Sequence, residues 1–475
     1  MSRLPNNPDQ SGAVLLLMLL LLILGSSFLA LKLFSANADY LKRQALTMHN
    51  LAIAKEALIA YAVTYGDTHS GDVPGYLPCP DLNGDNGEGS SPINCGLKNV
   101  SAIGHFPWKT LKLPTLRDGD NECLWYAVSG NYKNNPQTDL MNWDNNGQFK
   151  VFAADGTQRL DSDDNQAVAI IFAPGAAQSG QDRSGLDSNR CGTSYSASAF
   201  LDQDVIHGIS NADVANGRFI QTNAAGLVND QLLIITRLDI WRAIQRRQDF
   251  APKLQRLTQV IANCLADYGN NNALVGGAKN FSLPWAAELL PTNADFGLNA
   301  KYRNVKLLSA GRVPFDVAIS SKASTNLKIT SNGNLMANNG LQCPYYKATP
   351  TNELERLYPW WTNWKDHLFY AFAKAYQPSA LATASGGDNL QINQQNNFAA
   401  VVLFAGSALA GVTRASAIST NLERGNPALY LEGRNATNLL NGNLDFQNEF
   451  ASATFNDILF CISDNHTQLS AAPCP

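Results

Sequence analysis

The residues best suited to chemistry lie in a short loop that runs from Asp81 to Gly89 and mixes oxygen-bearing side chains with glycines. Asp81, Asn83 and Asp85 stand at every second position, which is the spacing of the first ligands in an EF-hand-type calcium loop. Asn86 stands where such loops carry glycine, and no acid occupies the twelfth position. The spacing predicts a calcium site at Asp81, Asn83 and Asp85, and the alternative interpretation is an Asn/Asp/Gly turn cluster.

Signatures of catalytic sites are absent from the sequence. It contains no His-Glu-x-x-His, no Gly-x-Ser-x-Gly and no P-loop, and its 6 histidines are scattered. The acidic run from Asp161 to Asp164 precedes a predicted strand and is typical of a solvated turn. With 16% charged residues and a net charge of −4, the chain also lacks the basic surface that nucleic-acid binding requires. We therefore expect a non-catalytic protein with no cofactor other than calcium.

The 8 cysteines indicate disulfides rather than a metal site. Their number is even, and no Cys-x-x-Cys pair offers zinc spacing, so we expect an oxidising compartment. Their order favours two separately cross-linked halves of the chain. The preferred pairs are Cys79–Cys95, Cys123–Cys191, Cys264–Cys343 and Cys461–Cys474. Since four cysteines allow three pairings, the other pairings within each half stay open.

A long N-terminal helix is the element on which the rest of the chain depends. From Ala13 to Leu31 the sequence carries no charge, and about 19 apolar residues suffice to cross a bilayer. No proline occurs between Ala13 and Tyr65, and Gly66 offers a stop signal. From Asp39 onward the apolar residues recur at helical spacing. We predict one helix that crosses the membrane over 13–33 and continues as the amphipathic spine of a globular domain.

Strand patterns follow this helix with no helical pattern between them. Runs rich in β-branched and aromatic residues predict strands over 123–128, 148–153, 167–173 and 230–236. One helix followed by consecutive strands predicts an antiparallel sheet packed on that helix.

The same succession of motifs recurs in the second half of the chain. The matching segments are 65–67 with 268–270, 77–78 with 283–284, 106–108 with 358–360, 124–128 with 368–372, 167–173 with 399–405, and 229–235 with 456–462. A helical pattern from Pro252 to Tyr268 opens the second set. Because the order is kept, we infer an internal duplication.

The predicted fold class is α+β, with a long transmembrane and amphipathic helix on an antiparallel sheet, duplicated as a second helix-plus-sheet domain. The predicted domains are a leader (1–12), the transmembrane half-helix (13–33), a first domain (34–248) and a second domain without the transmembrane half (249–475).

The N-terminus resembles that of type IV prepilins and type II secretion pseudopilins: a polar leader, Gly12, and then the apolar start of a long helix. The segments Leu77-Pro-Cys-Pro-Asp81 and Phe106-Pro-Trp108 are similar to those of large prepilin-like proteins. The resemblance implies cleavage between Gly12 and Ala13 and methylation of Ala13. Leu17 stands where major pilins carry glutamate, which fits a tip subunit better than a shaft subunit.

The resemblance implies a structural minor pilin or pseudopilin, at or near the tip of a pilus or pseudopilus and assembled through its N-terminal helix. The implied partners are other pilins, the prepilin peptidase and an inner-membrane assembly platform. The implied location is the bacterial inner membrane, as a single-pass protein with periplasmic domains, and then a cell-surface fibre. The alternative function is a membrane-anchored binding protein or adhesin.

Overall fold

The structure is a computed structural model of the 475-residue chain. It describes residues 10–83, 87–184, 186–187, 189–222, 228–271, 281–291, 295–305, 307–315, 328–329, 335–336, 353–378, 390–414 and 421–475. Residues 34–248 are called the first half below, and residues 249–475 the second half.

In each half of the described chain a long helix precedes most of the strands. The helices are α1 (Gln10–Thr68), α2 (Arg237–Gln245), α3 (Phe250–Asn271), α4 (Glu353–Trp364), α5 (Asn421–Arg424) and α6 (Gly433–Asn441). The strands of the first half are β1 (Ala102–His105), β2 (Trp125–Val128), β3 (Lys150–Phe152), β4 (Ala167–Ala173), β5 (Gln203–Asp204), β6 (Ile209–Ser210), β7 (Arg218–Ile220) and β8 (Gln231–Thr236). Those of the second half are β9 (Ala310–Arg312), β10 (Lys328–Ile329), β11 (Leu335–Met336), β12 (Leu368–Phe372), β13 (Leu390–Ile392), β14 (Gln395–Phe404), β15 (Asp445–Phe446), β16 (Ile458–Asp464) and β17 (Leu469–Pro473).

The second part of α1 is amphipathic and packs on the first sheet. Its buried face carries Leu51, Ala54, Leu58 and Ala62, all fully buried. Their spacing of three and four residues keeps them on one side of the helix. This face contacts β4 and β8. The helix thus covers the sheet that its own sequence precedes.

The predicted transmembrane segment over residues 13–33 is wrong, and so is the predicted inner-membrane, single-pass location. Among the residues that the structure describes, no helix is both long and apolar enough to cross a membrane. The apolar stretch with described side chains runs from Leu15 to Leu24.

The predicted fold class is wrong as well, because the architecture is mixed α/β with several sheets. The pairs β3–β7 and β13–β15 are parallel rather than antiparallel. Strands of two or three residues, such as β5 and β6, are too short to show the alternation by which strands are recognised in a sequence. They arise from Asn- and Gly-rich stretches that read as loops.

Two four-strand patterns nevertheless run in the same order in the two halves. In the first half the order is β1-β2-β4-β8, with every pair antiparallel. In the second half β9, β12, β14 and β16 follow one another in the same antiparallel way, and β13, β15 and β17 extend the sheet. α3 packs on β14, β16 and β17.

The registers show which residues correspond. A bulge separates Ala167 from Ala169 in β4, and another separates Phe398 from Ala400 in β14. The offset is therefore 398 − 167 = 231, whereas the sequence match of 167–173 with 399–405 implies 232. A one-residue shift moves every side chain to the other face of a strand. Sequence similarity alone places this pair of strands out of register.

One predicted match is not supported by the hydrogen bonds. The N–H of Phe106 donates to the carbonyl of Leu124 (3.0 Å), and the N–H of Val313 donates to the carbonyl of Leu368 (3.2 Å). Val313-Pro-Phe315 therefore corresponds to Phe106-Pro-Trp108, and the segment 358–360 belongs to α4.

The two halves share one continuous hydrophobic core and stack end to end. The loop between β2 and β3 contacts the end of β14, since Asp144 lies beside His367, whose carbonyl accepts from the N–H of Ala405. At the same junction Gly66 and Asp67, at the end of α1, line a groove together with Phe250, Lys253 and Trp360 of the second half. The second half thus lies at the end of α1 that is distant from Leu15–Leu24.

Candidate functional site

The N-terminal part of α1 presents an exposed apolar surface. All ten side chains from Leu15 to Leu24, here called the apolar segment, are exposed, with fractions between 51% and 71%. Patches of this kind mark interaction sites, because apolar surface gains free energy when another apolar surface covers it. Since α1 continues into the buried spine, a partner bound to the apolar segment would be rigidly coupled to the domain.

The residues implied by the prepilin resemblance lie at the start of this helix. Gly12 and Ala13 belong to the first turn of α1. Leu17 lies within the apolar segment and is 62% exposed. An uncharged side chain at this position keeps the segment apolar throughout.

The loop predicted to bind calcium is organised by Asp81. Its buried carboxylate accepts hydrogen bonds from the N–H groups of Asn83 (3.1 Å) and Gly89 (2.6 Å) and from the hydroxyl of Tyr195 (3.2 Å). Asp85 lies outside the described residues. Within the described part of the chain, no group of three His, Cys, Asp or Glu side chains could hold a metal ion. Asp81 acts as the organiser of a turn, and calcium binding stays a prediction.

Three of the four preferred disulfides are present. Cys79–Cys95, Cys123–Cys191 and Cys461–Cys474 join residues with Cα separations of 5.8, 5.6 and 5.0 Å. The fourth predicted pair, Cys264–Cys343, includes a residue outside the described part of the chain. The first disulfide closes the loop organised by Asp81, and the third joins β16 to the end of the chain.

A buried charged cluster, which the sequence reasoning missed, joins the two halves. His367 is fully buried, with Nε2 3.0 Å from Asp144 and Nδ1 2.9 Å from Asp366. Arg414 lies 3.8 Å from Asp144, and Arg424 lies 3.5 Å from Asp366. Asp144 lies more than two hundred residues before the other members in the sequence, so no local motif could have revealed the cluster.

The charged members of this cluster shift one another's pKa values. Burial alone would lower the pKa of His367, but the carboxylates of Asp366 and Asp144 outweigh it and raise that pKa. Burial would raise the pKa of Asp144, whereas Arg414 and His367 hold it below its usual range. The cluster is closed to solvent, so it cannot reach a substrate. Its geometry suits a fixed joint between the halves.

Each half also contains an arginine that binds three backbone carbonyls. Arg183 donates to the carbonyls of Gly175, Ala199 and Phe200, and its guanidinium stacks 4.9 Å from the Phe200 ring. In the second half Arg414 donates to the carbonyls of Gly406, Leu429 and Tyr430 and stacks 4.6 Å from the Tyr430 ring. The spacing from glycine to arginine is eight residues in both halves.

A pair of carboxyl groups recurs at the start of β8 and just before β16. Asp230 is fully buried and accepts from the N–H of Asp202 (2.8 Å) and from Asn211 (2.9 Å). The second pair is built alike: Asp457 accepts from the N–H of Glu432 (3.1 Å) and from Asn435 (2.9 Å). Burial, together with the neighbouring acid, raises the pKa values of Asp230 and Asp457 well above their usual range.

No protein-family model, curated protein or solved structure matches this chain.

Proposed function

We propose that this protein is a non-catalytic structural subunit of the pilin type, which joins a fibre at or near its tip through the apolar segment of α1. The observation that carries the proposal is the exposure of ten consecutive apolar side chains, Leu15–Leu24, on a helix that continues into the domain core. The partner is a bundle of similar apolar helices from other subunits.

The free energies of burial and association support helix packing as the driving force of assembly. Complete burial of a Leu-type side chain contributes about 1.5–3 kcal/mol. Ten side chains that are between 51% and 71% exposed can therefore gain roughly 9–18 kcal/mol on burial. The loss of translational and rotational freedom on association costs about 4–15 kcal/mol. The apolar segment can therefore hold the subunit in an assembly without further contacts.

The arrangement of the two halves supports a position near the tip. The second half stacks on the end of the first half that lies away from the apolar segment, where Asp67 of α1 lines a groove together with Phe250 and Trp360 of the second half. Its bulk occupies the space in which a further subunit would be placed above the first half. A subunit with a free upper end suits the end of a fibre.

The test is the substitution Leu19→Arg in the apolar segment. We expect the variant to fold, because Leu19 is 56% exposed, and to be absent from assembled fibres, because a charge in an apolar bundle costs several kcal/mol. Incorporation into isolated fibres is measured by quantitative immunoblot, and folding by circular dichroism.

The matched control is Leu440→Arg, since Leu440 lies on the helix α6 and is 49% exposed. We expect this variant to be incorporated like the unmodified chain. Equal incorporation of both variants would rule out assembly through the apolar segment.

A further inference from the structure

The contact between the two halves shows how one end of a sheet receives a neighbouring domain. Three side chains of a first-half loop enter the end of the second sheet. The amide of Asn142 donates to Asp366 (3.1 Å), Trp143 packs edge-on against Trp364 (4.2 Å), and the carboxylate of Asp144 pairs with His367 (3.0 Å). The incoming loop thus brings an N–H donor and a carboxylate together.

The first sheet has an equivalent end. Trp125 of β2 lies opposite Phe172, and Phe369 of β12 lies opposite the equivalent Leu403, so the offset between these strands is 369 − 125 = 244. At this offset Asp366 and His367 of the second half correspond to Glu122 and Cys123 of the first half. The carbonyl-binding arginines, Arg183 and Arg414, also occupy equivalent positions.

The edge strands extend this correspondence. His105 lies opposite Trp125, and Arg312 lies opposite Phe369. His105 and Arg312 are also each bonded in both directions to a preceding backbone segment, at Asp81 and Ala287 respectively. His105 therefore takes the place of Arg312 in the first half.

In the second half this end of the sheet is filled by Asp144, but in the first half it holds a cavity of about 70 Å³. Six of the residues that line it carry its charge and polarity: His105, Arg117, Glu122, Arg183, Asp187 and Arg190. Among these groups Arg183 pairs with Glu122 (3.0 Å), and Arg190 pairs with the nearby Glu88 (3.4 Å), so the charges around the cavity balance. A volume equal to about two water molecules, at roughly 30 Å³ each, admits a carboxylate group.

His105 supplies a second indication of a ligand. Its Nε2 lies 2.7 Å from the carbonyl of Ser194, to which it donates. Its Nδ1 is then an acceptor, and this buried atom has no hydrogen-bond partner among the described residues. Buried acceptors are rarely left unpaired. A ligand that completes this end of the sheet would bring an N–H donor as well as a carboxylate, as Asn142 and Asp144 do in the second half.

The cavity lies at the end of the first half from which the apolar segment projects. Gly175, whose carbonyl accepts from Arg183, also lines a groove with Tyr40 and Arg43 of α1. Those two helical residues immediately precede the part of α1 that enters the core. A subunit packed along the apolar segment would therefore present its upper surface to this cavity.

We propose that the cavity at His105, Arg183 and Arg190 binds a loop of the neighbouring subunit, in which an aspartate or glutamate carboxylate projects beside an N–H donor. This inference rests on the proposed function, since it names the partner that the apolar segment brings into place. The contact would repeat between subunits what Asn142 and Asp144 do within the chain.

The test uses the full chain in assembled fibres and a zero-length cross-linker. Asp187→Lys places an amine at the rim of the cavity. A water-soluble carbodiimide then condenses that amine with a nearby carboxylate, forming an amide as the carbodiimide takes up the water to become a urea. We expect an intersubunit amide, which peptide mass spectrometry maps to an acidic loop of the neighbour. Arg190→Glu in the same background should lower the yield at least about tenfold, because like charges disfavour the contact.

Asp213→Lys is the matched control, because both aspartates are exposed and both accept from the N–H two residues later, Asp187 from Asn189 and Asp213 from Ala215. Equal cross-linking at positions 187 and 213, or no intersubunit product at 187 in intact fibres, would overturn the proposed cavity ligand while the proposed function stands. If the chain enters no fibre at all, the proposed function and this inference fail together.

Discussion

Individual carboxyl groups give this protein a stability that depends on pH. Asp230 and Asp457 are buried beside other acids, and burial raises their pKa values in the folded state. A group whose folded pKa is raised contributes stability below its unfolded pKa of about 3.9. That contribution is lost as pH rises through the folded value. His367 acts in the same direction, because its pKa is raised in the folded state. Stability should therefore fall as the pH rises above the unfolded pKa values of these groups.

The variants Asp230→Asn and Asp457→Asn test this at the residue scale. An amide resembles the protonated carboxyl group but does not titrate, so we expect the loss of unfolding free energy between pH 5 and pH 8 to shrink in each variant. Urea denaturation at the two pH values measures it. Asp155→Asn is the control: hydrogen bonds from the N–H groups of Gln158 and Thr157 lower the pKa of Asp155, so it is already ionised at pH 5. An unchanged slope in both Asp variants would contradict the assignment.

At the scale of elements, α1 combines two parts with different roles. The part that contains Leu51, Leu58 and Ala62 is fully buried and supports the first sheet. The apolar segment of Leu15–Leu24 contributes nothing to that core, since each of its side chains is more than half exposed. Stability and assembly should therefore be separable by mutation along one helix.

The expected result is that Leu58→Ala destabilises the fold by about 2–5 kcal/mol, because a fully buried leucine leaves a cavity when truncated. Leu46→Ala, on the same helix at 47% exposure, should change the unfolding free energy by less than about 0.5 kcal/mol. Chemical denaturation of both variants measures the difference. Similar losses of unfolding free energy in the two variants would mean that the buried and the exposed side chains of α1 do not differ in their contribution to stability.

For the whole molecule, the decisive feature is the joint between the halves. Asp144 belongs to the first half, while His367, Asp366 and Arg414 belong to the second, and Asp144 and His367 are each almost completely buried. A buried ion pair adds little net stability when complete, but the loss of one partner leaves an uncompensated charge. The joint thus fixes the orientation of the halves more than it raises their stability.

We expect Asp144→Ala to cost about 3–5 kcal/mol and to increase amide hydrogen exchange on both sides of the joint, around residues 142–147 and 363–367. Asp163→Ala removes one of the two acidic partners of Arg159, at a side chain that is 79% exposed, and leaves the pair with Asp161 in place. It should cost less than about 1 kcal/mol. Hydrogen exchange monitored by mass spectrometry and denaturation curves provide both readouts. If amide hydrogen exchange at residues 363–367 were unchanged in Asp144→Ala, Asp144 would not fix the orientation of the two halves.

Local pattern in the sequence was sufficient for the main elements, and three of the four preferred disulfides are present although the sequence left other pairings open. Helical spacing in α1 and α3 and the apolar runs of β4 and β8 are properties of neighbouring residues, so one sequence displays them. The pairs Cys79–Cys95 and Cys461–Cys474 are close in sequence, and loop closure favours near neighbours. The predicted membrane segment failed because a run of apolar residues shows only that a helix seeks an apolar partner, and a protein bundle meets that need as well as lipid does.

Only the tertiary structure decided the register of the repeat, the buried joint and the open cavity. Register depends on hydrogen bonds between strands, and the equivalent bulges at Val168 and Ala399 show that the true offset differs by one residue from that of the sequence match. The joint unites Asp144 with His367 across more than two hundred residues, and no local preference encodes such a contact. The composition of a chain determines which side chains gain free energy from burial. The packing of its sheets determines which charged side chains are buried next to one another.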